Sequence, residues 1–418
     1  MTGTSPAEFP RSEHRLQPDL PRSEHRLQPD LPPQKVTVLG AGVWGIVLAS
    51  HLARKGHVVR AWDVAAQVVE RLRQTLSHPK LPGFRVADTV QLTTNLAEAV
   101  DFSKNCSSEP IGEHQAEACT LNENQAEACT LNGEEGAPRA ALIPAVGSKG
   151  GPDCVVVAAA SHGVRALAEW CRPPADQPPR QTPPWVVCSK GIEEDSLLPM
   201  AGVIESVWGA PYRDRIAVLS GPSFTAEVAR QLPTTVCAAS TNPRLSEYVQ
   251  TLFMTNRFRV YTQDDVLGVE LGGSLKNVIA IAAGVCDGME LGDNARAALI
   301  TRGLAEMIRL GTALGARPET FAGLAGMGDL ILTCCGSLSR NHTFGTLLAR
   351  GRTVQEALAE IGMVVEGMRT ARSARALALK HEVTMPIVKE VYAVLHEGKS
   401  PQAALQDLMG RGARPERD

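Results

Sequence analysis

Residues 36–45 read VTVLGAGVWG, and this stretch constrains the fold more than any other. An apolar, β-branched run ends in Gly40, Gly42 and Gly45 at the spacing G-x-G-x-x-G, and an amphipathic segment, IVLASHLARKG, follows at once. Strand, tight glycine turn and helix in that order bring bare backbone amides and a helix N-terminus up to an anion, above all a pyrophosphate. Alone the motif is weak, because many loops match it by chance. Its place between a predicted strand and a predicted helix is what separates a dinucleotide site from a structural glycine turn.

Six β-branched runs stand along the first 240 residues: KVTVLG, HVVRAW, CVVVAAA, WVVCSKG, RIAVLSG and TTVCAAS. Each is bounded by Gly, Pro or polar residues, and several are separated by helical patterns. Near-continuous apolar strands alternating with helices predict a mainly parallel sheet covered on both faces. From about Asp264 onward the strand signals stop. Helical patterns follow over 264–285, 294–315, near 328–334, 342–350, 353–361, 366–381, 386–397 and 400–409. The expected architecture is an α/β, Rossmann-like, doubly wound N-terminal domain over 34–262, then an all-α C-terminal domain over 263–410.

Two repeats fall outside that scheme. PRSEHRLQPDL occurs at 10–20 and again at 21–31, and its prolines and charges cannot build a core, so 1–33 is expected to be a disordered tail. EHQAEACTLN and ENQAEACTLN, within 113–132, are too few units for a solenoid. With their polar flanks they mark 103–152 as a low-complexity surface insertion, which is tolerable because closure entropy grows slowly with loop length. A short tail is expected over 411–418.

Charge narrows the partners. Against 42 basic side chains stand 45 acidic ones, a net charge of −3, so no basic excess points to nucleic acid or a membrane surface. No uninterrupted apolar run is long enough to span a membrane. The opening MTGTSPAEFPRSEHRLQPDL resembles neither a secretory signal nor a typical transit peptide; the expected location is cytoplasmic, with an organellar address left open. Ten cysteines show no CxxC pair and no Cys/His metal spacing, which reads as free thiols and no metal site.

The chemistry sits at predicted element ends. The second strand ends in Asp63, where a carboxylate can accept from an adenosine ribose and repel a 2′-phosphate, favouring NAD over NADP; it can equally cap the next helix. Lys190 follows WVVCS, at the C-terminal end of a predicted strand, the sheet edge where ligands bind in open α/β folds. Ser220, Gly221 and Ser223 lie at the same edge in LSGPSF. In the helical half, GMGDLILTC supplies Asp329, and SLSRNHTFG supplies Ser339, Arg340 and Asn341. Ser339 can cap the following helix, which brings Arg340 and free amides together as an anion site. Within GVELGGSLKNVIAIAAG, Lys276 is the one cationic residue of a helix that looks buried nearly all round. An unpaired ammonium there is costly or has a depressed pKa. It snorkels, finds a carboxylate, or serves a ligand admitted by Gly272 and Gly273. Together these residues suit a small phosphorylated substrate.

GAGVWG, CSKGIE, LSGPSFTAEVA, LGGSLKNVIAIAAG, NARAALITRGLAEM, GMGDLILTC, SRNHTFG and VVEGMRTA resemble, in order and spacing, the NAD(P)-dependent glycerol-3-phosphate dehydrogenases of bacterial type. The likeness covers about residues 34–410, apart from the insertion. It implies reversible reduction of dihydroxyacetone phosphate to sn-glycerol 3-phosphate, with Lys276 as acid/base. Lys190, Gly221, Ser223, Asn277, Asp329, Ser339, Arg340 and Asn341 are then expected at the substrate. Gly40, Gly42, Val43, Trp44, Gly45, Asp63, Ser161, Lys190, Ala226, Arg340 and Glu366 are expected at the cofactor, NAD with NADP as the second option. A homodimer through the helical domain is also implied.

The chain departs from the family pattern at Val43, where a hydroxyl residue is common, at Ala160, where proline is common, and at Asp63. Two other readings stand beside this one. A different hydroxyacid dehydrogenase, such as a 2-ketopantoate reductase, lacks a use for Ser339-Arg340-Asn341. A non-catalytic NADH-binding sensor lacks a use for Lys190, Lys276 and Asp329.

Overall fold

In the computed structural model, which describes residues 31–103, 150–413 and 415–416, eight strands form one sheet. They are β1 Lys35–Leu39, β2 Val58–Trp62, β3 Gln91–Thr93, β4 Cys154–Val157, β5 Trp185–Val187, β6 Ile216–Ser220, β7 Thr234–Ala239 and β8 Phe258–Gln263. Their order is β3-β2-β1-β4-β5-β6-β7-β8. Every pairing is parallel except β6 with β7, so the mainly parallel, Rossmann-like sheet is present. The interior strands β1, β4, β5 and β6 are buried almost throughout, as apolar runs covered on both faces require.

Two strands carried no signal in the sequence. β3 has three residues, and β8 alternates buried and exposed positions at the edge of the sheet. The order reverses between β1 and β4, where the chain turns from building one side of the sheet to the other. That crevice, beyond the carboxyl ends of the strands, is where ligands bind in open α/β sheets.

The N-terminal repeats and residues 104–149 lie outside the described residues. Leu31, inside the expected tail, already packs against the core. Phe102 N–H donates to the Gly150 carbonyl at 2.5 Å, so the two ends of the inserted segment meet. An insertion can leave and re-enter the fold there without moving β4.

After Gln263 everything regular is helical. The axis of this half is the 23-residue helix Val266–Gly288, capped by Asp265, whose carboxylate accepts from Gly268 N–H at 2.9 Å. Among the described residues it alone, as a single helix, is long and apolar enough to cross a membrane, yet it is packed inside the protein. Helix Arg340–Ala349 crosses it at backbone distance: a Cβ on Gly284 would fall 1.9 Å from the His342 carbonyl, and one on Gly345 2.0 Å from that of Ile281. This contact is what holds the Ser339–Asn341 segment beside the Lys276 helix.

Candidate active site

Gly40, Gly42 and Gly45 have three different jobs. Gly40 lies at φ +101°, and a Cβ there would meet Ala159 N at 2.7 Å, so the turn and the end of β4 require a glycine. A Cβ on Gly45 would sit 1.7 Å from the Gly40 carbonyl, which seats helix Val43–Arg54 on the turn. Gly42 has nothing within 4 Å of its Cβ position and no side chain caps the helix behind it. Open space, first-turn amides and the positive end of the helix form a cradle that fits a pyrophosphate. Val43 and Trp44 pack half-buried against the sheet core, as does Ala226 on helix Thr225–Ala229.

Asp63 follows β2 at this edge. Its Oδ1 accepts from Ala65 N–H at 3.0 Å, so it does shape the entry to the next helix. Burial raises its pKa, while the amides of Ala65, Ala41 and Val64 oppose the rise; the carboxylate therefore faces the glycine turn as well. Arg60 points elsewhere. It donates to Gln91 Oε1 at 2.8 Å and to the Glu98 and Asp101 carbonyls at 2.6 Å each, and lies over Phe102. Ala160 keeps φ at −61°, the value a proline ring would impose, so losing the ring leaves the backbone path intact. Ser161, next along, donates through Oγ to Glu366 Oε2 at 2.7 Å and through N–H to Oε1 at 3.3 Å. Glu366 opens helix Glu366–Lys380 of the helical half, so this pair ties the sheet edge to it.

The ionic centre lies deeper. Lys276 Nζ is 2.6 Å from Asp329 Oδ1, and Lys190 Nζ is 2.6 Å from Asp329 Oδ2. The side chains are 9%, 22% and 1% exposed for Lys276, Lys190 and Asp329, so Lys190 is the member of the cluster most open to water. Lys276 also donates to Thr333 Oγ1 at 2.8 Å, and Thr333 donates to the Asp329 carbonyl at 2.6 Å. Its hydroxyl proton is thus committed, and the oxygen is left to accept from the lysine. Burial lowers the Lys276 pKa from 10.5 to about 8, with Asp329 opposing and Lys190 assisting. Burial would raise the Asp329 carboxyl, but the two ammoniums outweigh it and hold it below 3.8. Lys190 reaches the Gly221 carbonyl at 3.3 Å; Gly221 itself sits at φ +140°, a Cβ there meeting Val236 Cα at 3.0 Å. Ser220 Oγ lies beside Gly273, buried and without a partner among the described residues.

Around this centre several expected residues are engaged with the protein itself. Ser339 accepts from His342 N–H at 3.2 Å, so its hydroxyl caps helix Arg340–Ala349. Ser223 donates to the Gly221 carbonyl at 3.0 Å. Asn341 donates to Asn277 Oδ1 at 3.0 Å and accepts from Gly367 N–H at 2.9 Å, so it fixes the Asn277 amide one residue from Lys276. Arg340 is exposed and donates to the Val364 carbonyl at 2.8 Å.

One expectation needs correcting. Gly272 and Gly273 do not open the helix toward a ligand. A Cβ on Gly272 would meet the Ala325 carbonyl at 2.7 Å, and one on Gly273 would meet Ser220 Oγ at 2.8 Å, with Lys190 carbons beyond. They admit the protein's own chain, which brings Lys190 and Asp329 to Lys276. Thr333 was missed, although it lies four residues after Asp329 on a predicted helix, the spacing that puts two side chains on one face.

A nucleotide cradle at the sheet edge and a desolvated lysine–carboxylate–lysine cluster beside it define a pyridine-nucleotide-dependent oxidoreductase. Residues 35–106 and 148–246 match the model of the NAD-dependent glycerol-3-phosphate dehydrogenase N-terminus, and 265–406 that of its C-terminus. The chain belongs to the NAD-dependent glycerol-3-phosphate dehydrogenase family. It is 43% identical to glycerol-3-phosphate dehydrogenase [NAD(P)+] of Geobacter sulfurreducens over 92% of this chain and 99% of that protein. The same enzyme of a Thermoanaerobacter species is 40% identical over 91% of this chain and 98% of its own. The crystal structure of glycerol-3-phosphate dehydrogenase from Coxiella burnetii superposes with a TM-score of 0.72, at 33% identity, over 91% of this chain and 99% of that one.

Proposed function

We propose that this chain interconverts dihydroxyacetone phosphate and sn-glycerol 3-phosphate, with Lys276 as the general acid/base. The observation that carries the reading is Lys276 itself, nine-tenths buried, its pKa drawn down to about 8, its ammonium aimed by Asp329 and Thr333. A bound nicotinamide supplies or accepts the hydride. In the reducing direction the substrate carbonyl oxygen gains negative charge, and an ammonium with a pKa near 8 can stabilise and protonate it close to neutrality. In the oxidising direction the neutral amine takes the hydroxyl proton.

The remaining residues orient. Both oxygens of Asp329 are used on the two lysines, which favours orienting Lys276 over binding a substrate hydroxyl. Lys190, the more exposed lysine, is left to meet the substrate from the sheet side. Arg340 and the first amides of its helix would hold the phosphate away from the reacting carbon, so that remote binding energy positions the ketone. Gly40, Gly42 and the helix behind them would hold the pyrophosphate, and Asp63 the adenosine ribose, which favours NAD over NADP. We further propose a homodimer, on the family resemblance.

The test is initial rates of NADH and NADPH oxidation with dihydroxyacetone phosphate, wild type beside Lys276→Ala. Turnover that collapses in the variant, by about 10²–10⁴-fold, is the expected result. A variant that keeps its rate makes Lys276 structural. Wild type that binds both cofactors and reduces no ketone would return the sensor reading.

A further inference from the structure

Glu366 and Gly367 are consecutive residues at the start of helix Glu366–Lys380, and they reach in two directions. Glu366 faces the sheet edge, where its Oε2 accepts from Ser161 Oγ at 2.7 Å. The pair closes over Gly191, the residue after Lys190. A Cβ on Gly191 would meet Ser161 Cβ at 2.5 Å and Ser161 Oγ at 3.0 Å, with Glu366 Oε2 3.8 Å away. Gly367 faces the long helix. Its N–H donates to Asn341 Oδ1 at 2.9 Å, and Asn341 donates to Asn277 Oδ1 at 3.0 Å. A Cβ on Gly367 would lie 2.7 Å from the Asn277 carbonyl, next in the chain to Lys276.

One helix end therefore touches both segments that carry an ammonium to Asp329, Lys190 from the sheet and Lys276 from the helical half. Lys190 needs such support. Strand β5 ends at Val187, three residues before it, and a lysine ammonium rides on a flexible four-carbon stem. Ser189 Oγ ties the segment to the Ala159 carbonyl at 2.6 Å. Two turns further on, the same helix holds it again: the buried Ser373 donates through Oγ to the Ile192 carbonyl at 2.9 Å. Arg369 and Arg372 stand 3.5 and 3.4 Å from the Glu194 carboxylate.

We propose that Glu366, held by Ser161, is a positioning residue for Lys190, and that with Gly367 it sets the two lysines against the shared carboxylate of Asp329. Polar groups that act on a reacting atom are only as precise as the residues that lock them. Here the lock spans the two halves at the point where each supplies a lysine. The consequence for turnover rests on the reading of Lys190 as a substrate lysine; the placement of Lys190 does not.

Competitive acetylation of the full-length protein with acetic anhydride, read lysine by lysine by mass spectrometry, tests the placement without any substrate. An ammonium paired with a carboxylate stays protonated and reacts slowly. Relative to the exposed Lys389, Lys190 is expected to react at least about threefold faster in Ser161→Ala than in wild type. Ser373→Ala, which cuts the second tie, should move it the same way and decides the matter if Ser161→Ala does not fold. In steady state, Ser161→Ala is expected to raise the KM for dihydroxyacetone phosphate at least about tenfold and the KM for NADH less than about threefold. Adding Ser161→Ala to Glu366→Ala should cost nothing further, because the serine acts through the carboxylate. Unchanged Lys190 reactivity in both serine variants overturns the proposal, as does additivity of Ser161→Ala with Glu366→Ala. A rise confined to the KM for NADH makes the pair a cofactor contact alone and overturns it too. Wild type that reduces no dihydroxyacetone phosphate removes the substrate reading, and the acetylation result then decides the placement of Lys190 by itself.

Discussion

Lys276 and Asp329, 53 residues apart in the chain, meet at 2.6 Å with both side chains at least nine-tenths buried. The carboxylate does not neutralise the lysine alone, since its other oxygen is held by Lys190 at the same distance. Two cations on one buried anion leave a net positive charge in a dry site. Burial is the main reason the Lys276 proton is loosely held, and the Lys190 charge adds to it against the pull of Asp329.

The first expectation concerns pH. With a Lys276 pKa of about 8, kcat/KM for ketone reduction should fall as pH rises through 8, and the oxidative direction should rise to a plateau over the same range. In Asp329→Asn the opposing charge is gone and this limb moves to lower pH. A limb that stays put in the variant means that another group titrates.

Stability follows the same proton with a definite sign. Between about pH 8 and 10.5 the unfolded chain holds a proton on Lys276 that the folded chain has released. Stability contributed at this position therefore increases with pH across that window, by about 3 kcal/mol in total. Urea midpoints of wild type minus those of Lys276→Met, measured from pH 7 to 10, should show this rise.

Glu270 runs the other way. It is buried, its Oε1 accepts from Ala201 N–H at 2.7 Å, and burial raises its pKa from 4.5 to about 8 against the pull of the Ala201 and Met200 amides. Between those values the folded chain holds a proton that the unfolded chain has lost, so stability falls as pH rises, by roughly 1.4 kcal/mol per unit. Glu270→Gln keeps an acceptor for Ala201 and is expected to remove this slope in thermal melts between pH 5 and 8.

The three glycines of the nucleotide turn should separate by phenotype. Gly45→Ala drives a Cβ into the Gly40 carbonyl and is expected to lower stability by about 3 kcal/mol or more. Gly42→Ala meets open space in the protein alone; its melting temperature should stay within about 2 °C of wild type while the KM for NADH rises at least about tenfold. Equal loss of stability in both variants would contradict the separation.

Cofactor choice tests Asp63. Asp63→Ala removes the carboxylate at the ribose edge, and the NADH-to-NADPH ratio of kcat/KM is expected to fall at least about tenfold. Because Asp63 also accepts from Ala65 N–H, a control melt should show a loss near 1 kcal/mol, the usual net worth of one hydrogen bond. An unchanged ratio would leave Asp63 with the turn before the helix alone, since helix Ala66–Thr75 has no side-chain cap.

Much of this was legible in the residues, for local reasons. All six β-branched runs are strands, the helical pattern after Asp264 is helical, and Ser339 does cap its helix, because apolar periodicity and capping chemistry act within a few residues. β3 and β8 escaped because a three-residue strand and a half-exposed edge strand owe their state to the neighbour they pair with. The flanks of the long insertion, Phe102 and Gly150, meet, a contact that no local pattern in the sequence announces.

By itself the sequence determined which side chains could do chemistry: a glycine turn before a helix, an acid after β2, and a lysine on an apolar helix. Only the tertiary structure decided which of them meet. It put Asp329 between Lys190 and Lys276, joined Ser161 to Glu366 across 205 residues, and turned Gly272 and Gly273 toward the protein itself. The physical reason is that a pKa or an ion pair depends on distances and on the exclusion of water. Both are properties of how distant segments pack, and neither is written in the spacing of residues along the chain.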